Sequence, residues 1–365
     1  MYILTDFHHG SLLQSLILLF EKRLGGEVYR PIGREWFDQG YWKVYDHPAT
    51  VEQFLGIGGN TPDGTAKLNE VVAHPAPDIY KCHDIDSGTD NKAITIKGFF
   101  DRHFDIVIAS IPQHVEPFKK LCATHKDHPK LIYQIGNAWT TEAAMAPNIM
   151  ASAIINDVPR EINFISYHQE FDTEIFYPSF PPIYEKHGNL ILTCLCIPLG
   201  KNIYSFVNCF DTAEHFANDW LLFQQVEKEM ADWTFKVHGG QCRDGAIGPT
   251  HKLADKMREA RFIWHVKAGG DGYGHVLHNA LAVGRPLIVK KSYYIGKLAE
   301  PLLIDGVTCI DIDGLSYPQI IDKIVYNSEP GRYFAMCKAA YDNFCRVVYF
   351  DKEHKNIEIF FSKLL

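Results

Sequence analysis

Short runs of apolar, mostly β-branched residues alternate with amphipathic stretches along almost the whole chain. Residues 2–6 (YILTD) read as a strand and 11–25 as an amphipathic helix that stops at Gly25 and Gly26; 27–32 read as the next strand. Further on, FDIVIAS (104–110) is a continuous apolar strand. A helix is expected around 115–125, a strand at 130–136, and two more strands in NIMASAII and INFISYH. Continuous apolar runs separated by helices imply strands buried on both faces, that is, a parallel sheet.

The pattern breaks over 172–188, which holds three prolines and several aromatic residues and reads as a connection between domains or a rim loop. It then resumes, with strands at 189–198, 233–239, 261–266, 286–291 and 307–313 and helices at 215–231, 250–260 and 274–284. A long helical region follows from Pro330 onward. The expectation is an α/β chain with two Rossmann-like halves: residues 1–175, residues 176–335, and a helical tail, 336–365, returning to the first half.

Composition narrows this only a little. A length of 365 residues is too long for one ordinary core, and 46 % hydrophobic with 22 % charged residues is a globular balance. The N-terminus reads as a first strand, not a signal peptide, and no apolar run is long enough to span a membrane. Nine cysteines, an odd number with no C-x-x-C pair, suit reduced thiols in a cytoplasmic protein. Cys194 and Cys196 alternate with core residues in ILTCLCIP, so no metal is expected there. A net charge of −8 argues mildly against a nucleic acid as the dominant partner, although a local basic groove is invisible in a sum.

The chemistry is concentrated in GGDGYGHVLHNALAVGRPLIV, 269–289, where a strand feeds a glycine turn and the turn feeds a helix. Helix starts carry unpaired N–H groups and the positive end of the dipole, which suits a phosphate. The dinucleotide spacing G-x-G-x-x-G fails, because His275 stands at its sixth position, and the P-loop lysine is missing. His275 and Asn279 lie four residues apart on one helix face with His278 beside them, while Val276, Ala280 and Val283 form the expected packing stripe.

These residues resemble the nucleotide-sugar motif of GT-B glycosyltransferases, which in many retaining members reads E-G-F-G-x-x-x-x-E-A-x-A-x-G-x-P-V-I. Asp271 falls on the first acid, Gly272 and Gly274 on the glycines and Tyr273 on the aromatic; Ala280, Ala282, Gly284, Pro286 and Ile288 match in register. Asn279 replaces the second acid, which in the family commonly binds the nucleotide ribose. The resemblance implies a GT-B fold, two Rossmann-like domains facing across a cleft with the C-terminal helix returning to the first. It also implies a metal-independent transferase with no tightly bound cofactor, using a nucleotide-diphospho sugar, a UDP sugar, as co-substrate. Asp271 would hold sugar hydroxyls, with transfer to the front face. The acceptor stays open between saccharides, small molecules and a hydroxymethyl-pyrimidine in DNA, since some bacteriophage enzymes of this architecture modify DNA. A UDP-sugar epimerase and a non-enzymatic sugar-nucleotide sensor are the alternatives.

Other candidates follow strand ends. Asp6, His8 and His9 lie in the first βα turn and His114 after the strand at 104–110; any of them is a candidate base for an inverting reaction. Asn137, His168, Glu170 and Asp172 occupy similar turns. In the second half Gly239 and Gly240 are placed near the base, with Arg243, Lys267 and Lys201 as candidates to neutralise a diphosphate. Lys290 and Lys291 fall near the sugar or on plain surface, and the aromatics of 33–42 are candidates for stacking or for burial.

Overall fold

The computed structural model describes residues 1–6, 10–33, 35–41, 78–84, 89–136, 143–180, 183–184, 190–191, 200–207, 217–240, 242–267 and 273–365. The chain divides into two compact units, Met1–Phe171 with Phe350–Leu365, and Asp172–Tyr349.

In the first unit, β1 (Tyr2–Thr5) leads into α1 (Gly10–Ile17), which runs on as a π-helical segment, Leu18–Arg23, before β2 (Glu27–Pro31). Next come α2 (Glu35–Asp38), β3 (Ile79–Asp84), β4 (Thr89–Ile94), α3 (Ile96–Asp101), β5 (Ile106–Ala109), α4 (Pro112–Thr124), β6 (Lys130–Ile135), β7 (Asn148–Ala151) and β8 (Asn163–Ser166). Among the described residues these strands form one sheet in the order β3-β4-β2-β1-β5-β6-β7-β8. All pairs are parallel except β3–β4, an antiparallel edge that the apolar runs did not announce.

Successive side chains on a strand face opposite ways, so each apolar run feeds two cores. Leu4, Val107 and Leu131 join Phe99 and Phe118 on one face; Ile3, Ile106, Ile108 and Ile132 join Leu13 and Leu16 of α1 on the other.

In the second unit a short antiparallel pair, β9 (Ile183–Tyr184) and β10 (Leu190–Ile191), precedes β11 (Asn202–Phe206). Then follow α5 (Ala217–Glu229), β12 (Thr234–His238), α6 (Thr250–Glu259), β13 (Phe262–Trp264), α7 (His275–Ala282), β14 (Leu287–Val289), β15 (Cys309–Asp311), α8 (Tyr317–Asn327) and α9 (Pro330–Val347). The five-stranded sheet has the order β12-β11-β13-β14-β15 and is parallel throughout.

Three features differ from the sequence reading. The strand expected over 189–198 is described only at Leu190–Ile191; the first strand of the second unit's five-stranded sheet is instead β11, whose run NIYSF carries the polar Asn202 and Ser205. Asn202 caps the neighbouring connection, accepting from Arg261 N at 2.5 Å and donating to Glu259 O at 3.1 Å. Helix α8 also escaped notice, although Ser316 and Gln319 form a capping box and Pro318 lies in its first turn. Finally, the helical tail divides. Tyr333, Met336 and Cys337 of α9 are buried in the second unit's core, whereas α10 (Phe350–Ser362) buries Ile357, Phe360 and Phe361 in the first. The chain therefore returns to the first unit at Phe350. Among the described residues no helix is long and apolar enough to cross a membrane.

Candidate functional site

Helix α7 begins at the C-terminal edge of the second unit's parallel sheet, where doubly wound folds bind ligands. Asp271 and Gly272 fall outside the described residues, as do His8, His9 and Asn137. From Tyr273 onward the turn is defined. Gly274 is the N-cap of α7 with φ +79°, a left-handed conformation that favours glycine. The helix thus opens on a residue that has no side chain to cap it. The Tyr273 ring stacks on His278 at 4.1 Å and 8°, with His275 edge-on at 5.0 Å. His278 Nδ1 lies 3.0 Å from Gly274 O. A carbonyl only accepts, so Nδ1 carries the proton and the ring braces the turn from one helical turn ahead.

Tyr273 is buried and His275 half-buried. Of the expected packing stripe, Ala280 and Val283 are buried and Val276 is half-buried. Asn279 is 8 % exposed, with its Oδ1 enclosed and without a hydrogen-bond partner. The end of α7 is a Schellman motif: Arg285 N donates to Ala280 O at 2.8 Å, Gly284 N donates to Leu281 O at 3.0 Å, and Gly284 has φ +72°.

Across the same edge, Phe206 ends β11 and His238 ends β12, their rings stacked at 5.7 Å. Burial holds the His238 imidazole below its ordinary pKa, so it is a neutral ring. Gly239 follows because nothing larger fits: a Cβ there would overlap Val207 O. Gly240 has open space around it.

Lys267 and Lys290 follow β13 and β14 on this edge and are half-buried. Arg243, expected to neutralise a diphosphate, is engaged elsewhere. It forms a bidentate pair with Glu227 (2.9 and 2.6 Å), donates to Phe235 O at 3.1 Å and lies over the rings of Trp220 and Phe223. Its chemistry clamps α5 to β12. Lys201 pairs with Asp232 at 2.5 Å at the opposite, N-terminal end of the strands, and the backbone N–H of Lys291 donates to the Asp311 carboxylate at 3.1 Å.

In the first unit, Asp6 and His114 come together, but in an enclosed place. The Asp6 carboxylate accepts from Ser110 N at 2.7 Å, Ile111 N at 3.3 Å, the Ser110 hydroxyl and His114 Nδ1 at 2.8 Å. From just past β1 it therefore holds the two residues that lead into α4, and His114, 1 % exposed, stacks on Phe118. Expected as catalytic candidates, both are committed to holding the start of α4.

His168 and Glu170 are committed too. His168 bonds Glu353 through both its ring and its backbone N–H, and Arg23 bridges Glu170 and Asp351 at 2.7 and 2.6 Å, fastening α10 to the first unit. Asp172 accepts from Glu174 N in a local turn. Trp36, from the aromatic stretch, is fully buried and donates to Ile94 O. The residues that sequence reasoning overlooked are Ser110, Ser179 and Arg285. The signal for the last was present in Gly-Arg-Pro, where a helix stop places an arginine beside the helix's last carbonyls.

No protein-family model matches the chain, and no curated protein matches its sequence. Solved structures do match in fold. HepE from Anabaena in complex with UDP-glucose is 12 % identical, with 100 % of each chain covered and a TM-score of 0.55. Sucrose-phosphate synthase from Thermosynechococcus elongatus is 10 % identical, with 100 % of this chain and 99 % of that one covered and a TM-score of 0.58. An alpha-glucosyltransferase in complex with UDP-glucose and DNA containing an abasic site is 10 % identical over 98 % of both chains, with a TM-score of 0.54. Two parallel-sheet Rossmann-like units, matched end to end by these structures, give the chain the GT-B fold.

Proposed function

We propose that the protein is a glycosyltransferase that moves a sugar from a UDP sugar to an acceptor hydroxyl. The observation that carries this reading is α7, a helix that opens on a left-handed glycine at the C-terminal edge of a parallel sheet. Structures of the same fold that hold UDP-glucose support it. The developing negative charge on the leaving diphosphate is met by the α7 dipole and the Gly272–Gly274 turn, with Lys267 as the nearest cation in sequence. Tyr273 and His275 frame the turn, Asp271 holds sugar hydroxyls, and the neutral Asn279 stands where an acid would bind the ribose. Gly239 and Gly240 let a base approach the backbone after β12.

Front-face transfer fits the first unit: the leaving phosphate takes the acceptor's proton, so Asp6 and His114 are free to serve α4, and His8 and His9 remain the acceptor-side candidates. For the acceptor, a hydroxymethyl-pyrimidine in DNA is the finer reading, supported by the DNA complex of one structure of this fold.

The test is incubation with labelled UDP sugars and, separately, hydroxymethylcytosine DNA and simple sugars. Transfer of label to one acceptor is expected. Label that reaches saccharides but not DNA would remove the DNA reading; release of free UDP with an epimerised sugar would point to an epimerase. Absence of binding and turnover with every donor would overturn the whole proposal.

A further inference from the structure

Arg285 is fully buried, and the donor-site reading gives it no task. A cation taken out of water costs several kcal/mol unless it is compensated, usually by a carboxylate. None of its partners is one. Nε and Nη2 donate to Arg258 O at 3.1 and 2.6 Å. Nη1 donates to Ser179 O and, at 3.1 and 3.4 Å, to Gly284 O and Val283 O; Nη2 also donates to Ser179 Oγ at 2.7 Å.

These acceptors have a common character. Val283 and Gly284 close α7, and Arg258 lies in the last turn of α6. A helix C-terminus carries about half a negative charge, so two of them supply about one counter-charge. Ser179 belongs to the segment by which the chain enters this unit, and its N–H bonds Val283 O at 3.3 Å. Arg258 holds that segment as well, donating to Ile175 O at 2.8 Å and lying 3.8 Å over the Tyr177 ring.

We propose that Arg285 is a positioning residue for the donor site. It ties the C-termini of α6 and α7 to segment 175–179 and thereby fixes the direction in which α7 presents its glycine turn. The proposal rests on the reading of that turn as the diphosphate site. An eight-residue helix is a rod of about 12 Å, so a tilt of about 5° at its anchored end moves the turn by about 1 Å, a displacement that costs on the order of a hundredfold in a preorganised site.

The experiment compares Arg285→Lys and Ser179→Ala in the full chain. UDP and UDP-glucose binding is read by calorimetry, and amide hydrogen exchange is followed at 273–277 and, for reference, in α8. A lysine keeps the charge but reaches fewer of the acceptors, so affinity for UDP-glucose falls about tenfold or more, and exchange at 273–277 quickens while α8 is unchanged. Ser179→Ala removes only the hydroxyl and shows the same pattern at about threefold. If Arg285→Lys does not fold, Ser179→Ala decides. Wild-type affinity in both variants overturns the proposal, as does a loss of protection spread evenly over the unit. If the wild-type protein binds neither UDP nor UDP-glucose, the donor-site reading falls on its own; exchange at 273–277 in the unliganded variants then still decides, and unchanged exchange there overturns the anchor.

Discussion

Two helices, α4 and α7, begin at the C-terminal edge of a parallel sheet, one in each unit, and they solve the same electrostatic problem differently. A helix start presents N–H groups and a partial positive charge that call for an anion. At α4 the protein supplies that anion itself: Asp6 takes the Ser110 and Ile111 amides and His114 besides. At α7 the cap is a glycine, and the described side chains around it, Tyr273, His275, His278 and Asn279, are aromatic, imidazole or amide. A buried carboxylate beside a helix start belongs to the fold; under the proposed function, the start that opens on glycine receives a phosphate. Under the same proposal, donor binding falls to the second unit, while the Asp6–His114 pair serves the segment that leads into α4.

The largest effect should come from Asp6→Ala. It leaves the Ser110 and Ile111 amides and the His114 ring without their acceptor in a buried place, which costs about 3 kcal/mol at about 1 kcal/mol or more each. Urea unfolding should show that loss, while UDP-glucose binding by the folded protein stays at the wild-type level. A variant of wild-type stability that binds donor poorly would break the comparison, because Asp6 would then act on ligand and not on α4.

Gly274→Val should do the converse. A β-branched residue at φ +79° costs about 1–2 kcal/mol or drives the turn out of its conformation. Donor affinity is expected to fall about tenfold, the equivalent of 1.4 kcal/mol, with α4 and its neighbours as protected from hydrogen exchange as before. The space itself does not forbid a side chain, since a Cβ would lie 3.5 Å from Leu277 and 3.9 Å from Tyr294. Unchanged affinity would therefore mean that the left-handed start is unimportant to the ligand.

How much of this was legible beforehand depends on what kind of physics wrote it. Strands such as β5 and β6 and helix α7 showed plainly because burial on both faces imposes long apolar runs, and Gly274 showed because only glycine adopts its left-handed backbone cheaply. Strand β11 was missed because its Asn202 and Ser205 interrupt the run, although Asn202 is polar for a reason, capping the Glu259–Arg261 connection. Arg243 misled because a cation after a strand looks like a phosphate ligand; its partner Glu227 lies on a helix sixteen residues earlier, and no local pattern announces that pairing. The Asp6 contact is longer in range still, spanning 104 residues to Ser110. Arg285 lay in plain view within Gly-Arg-Pro, yet all but one of its acceptors are main-chain carbonyls, which any sequence can supply.

The two units also differ in how they hold histidine, and pH should separate them. His238 in the second unit is buried and held below the ordinary value of 6.5. With a depressed folded-state pKa, its neutral form contributes stability that is complete above about pH 6.5 and is lost as pH falls, because the unfolded chain takes up the proton first. His238→Phe keeps the ring stacked on Phe206 and removes the titration, so the variant should lose less stability than wild type between pH 7 and pH 5 by thermal unfolding. Equal slopes would mean that the ring is protonated in place without penalty.

The smallest effect belongs to His103 in the first unit, whose sign is reversed. Hydrogen bonds to Asp105 at 2.9 Å and Asp127 at 3.0 Å raise its pKa above 6.5. A raised folded-state pKa means stability that is fully present below about pH 6.5 and lost as pH climbs through the folded value. The side chain is more than half exposed, so the pair is screened and the gain is small. His103→Asn should therefore lower the melting temperature slightly at pH 5.5, and the difference should vanish by pH 8.5 and shrink in high salt. A difference that persists at pH 8.5 would show that His103 acts by packing against Tyr2, whose ring lies edge-on at 6.2 Å, and not by charge. The first unit would then share with the second the use of histidine as a neutral ring, and the contrast between them would rest on Asp6 alone.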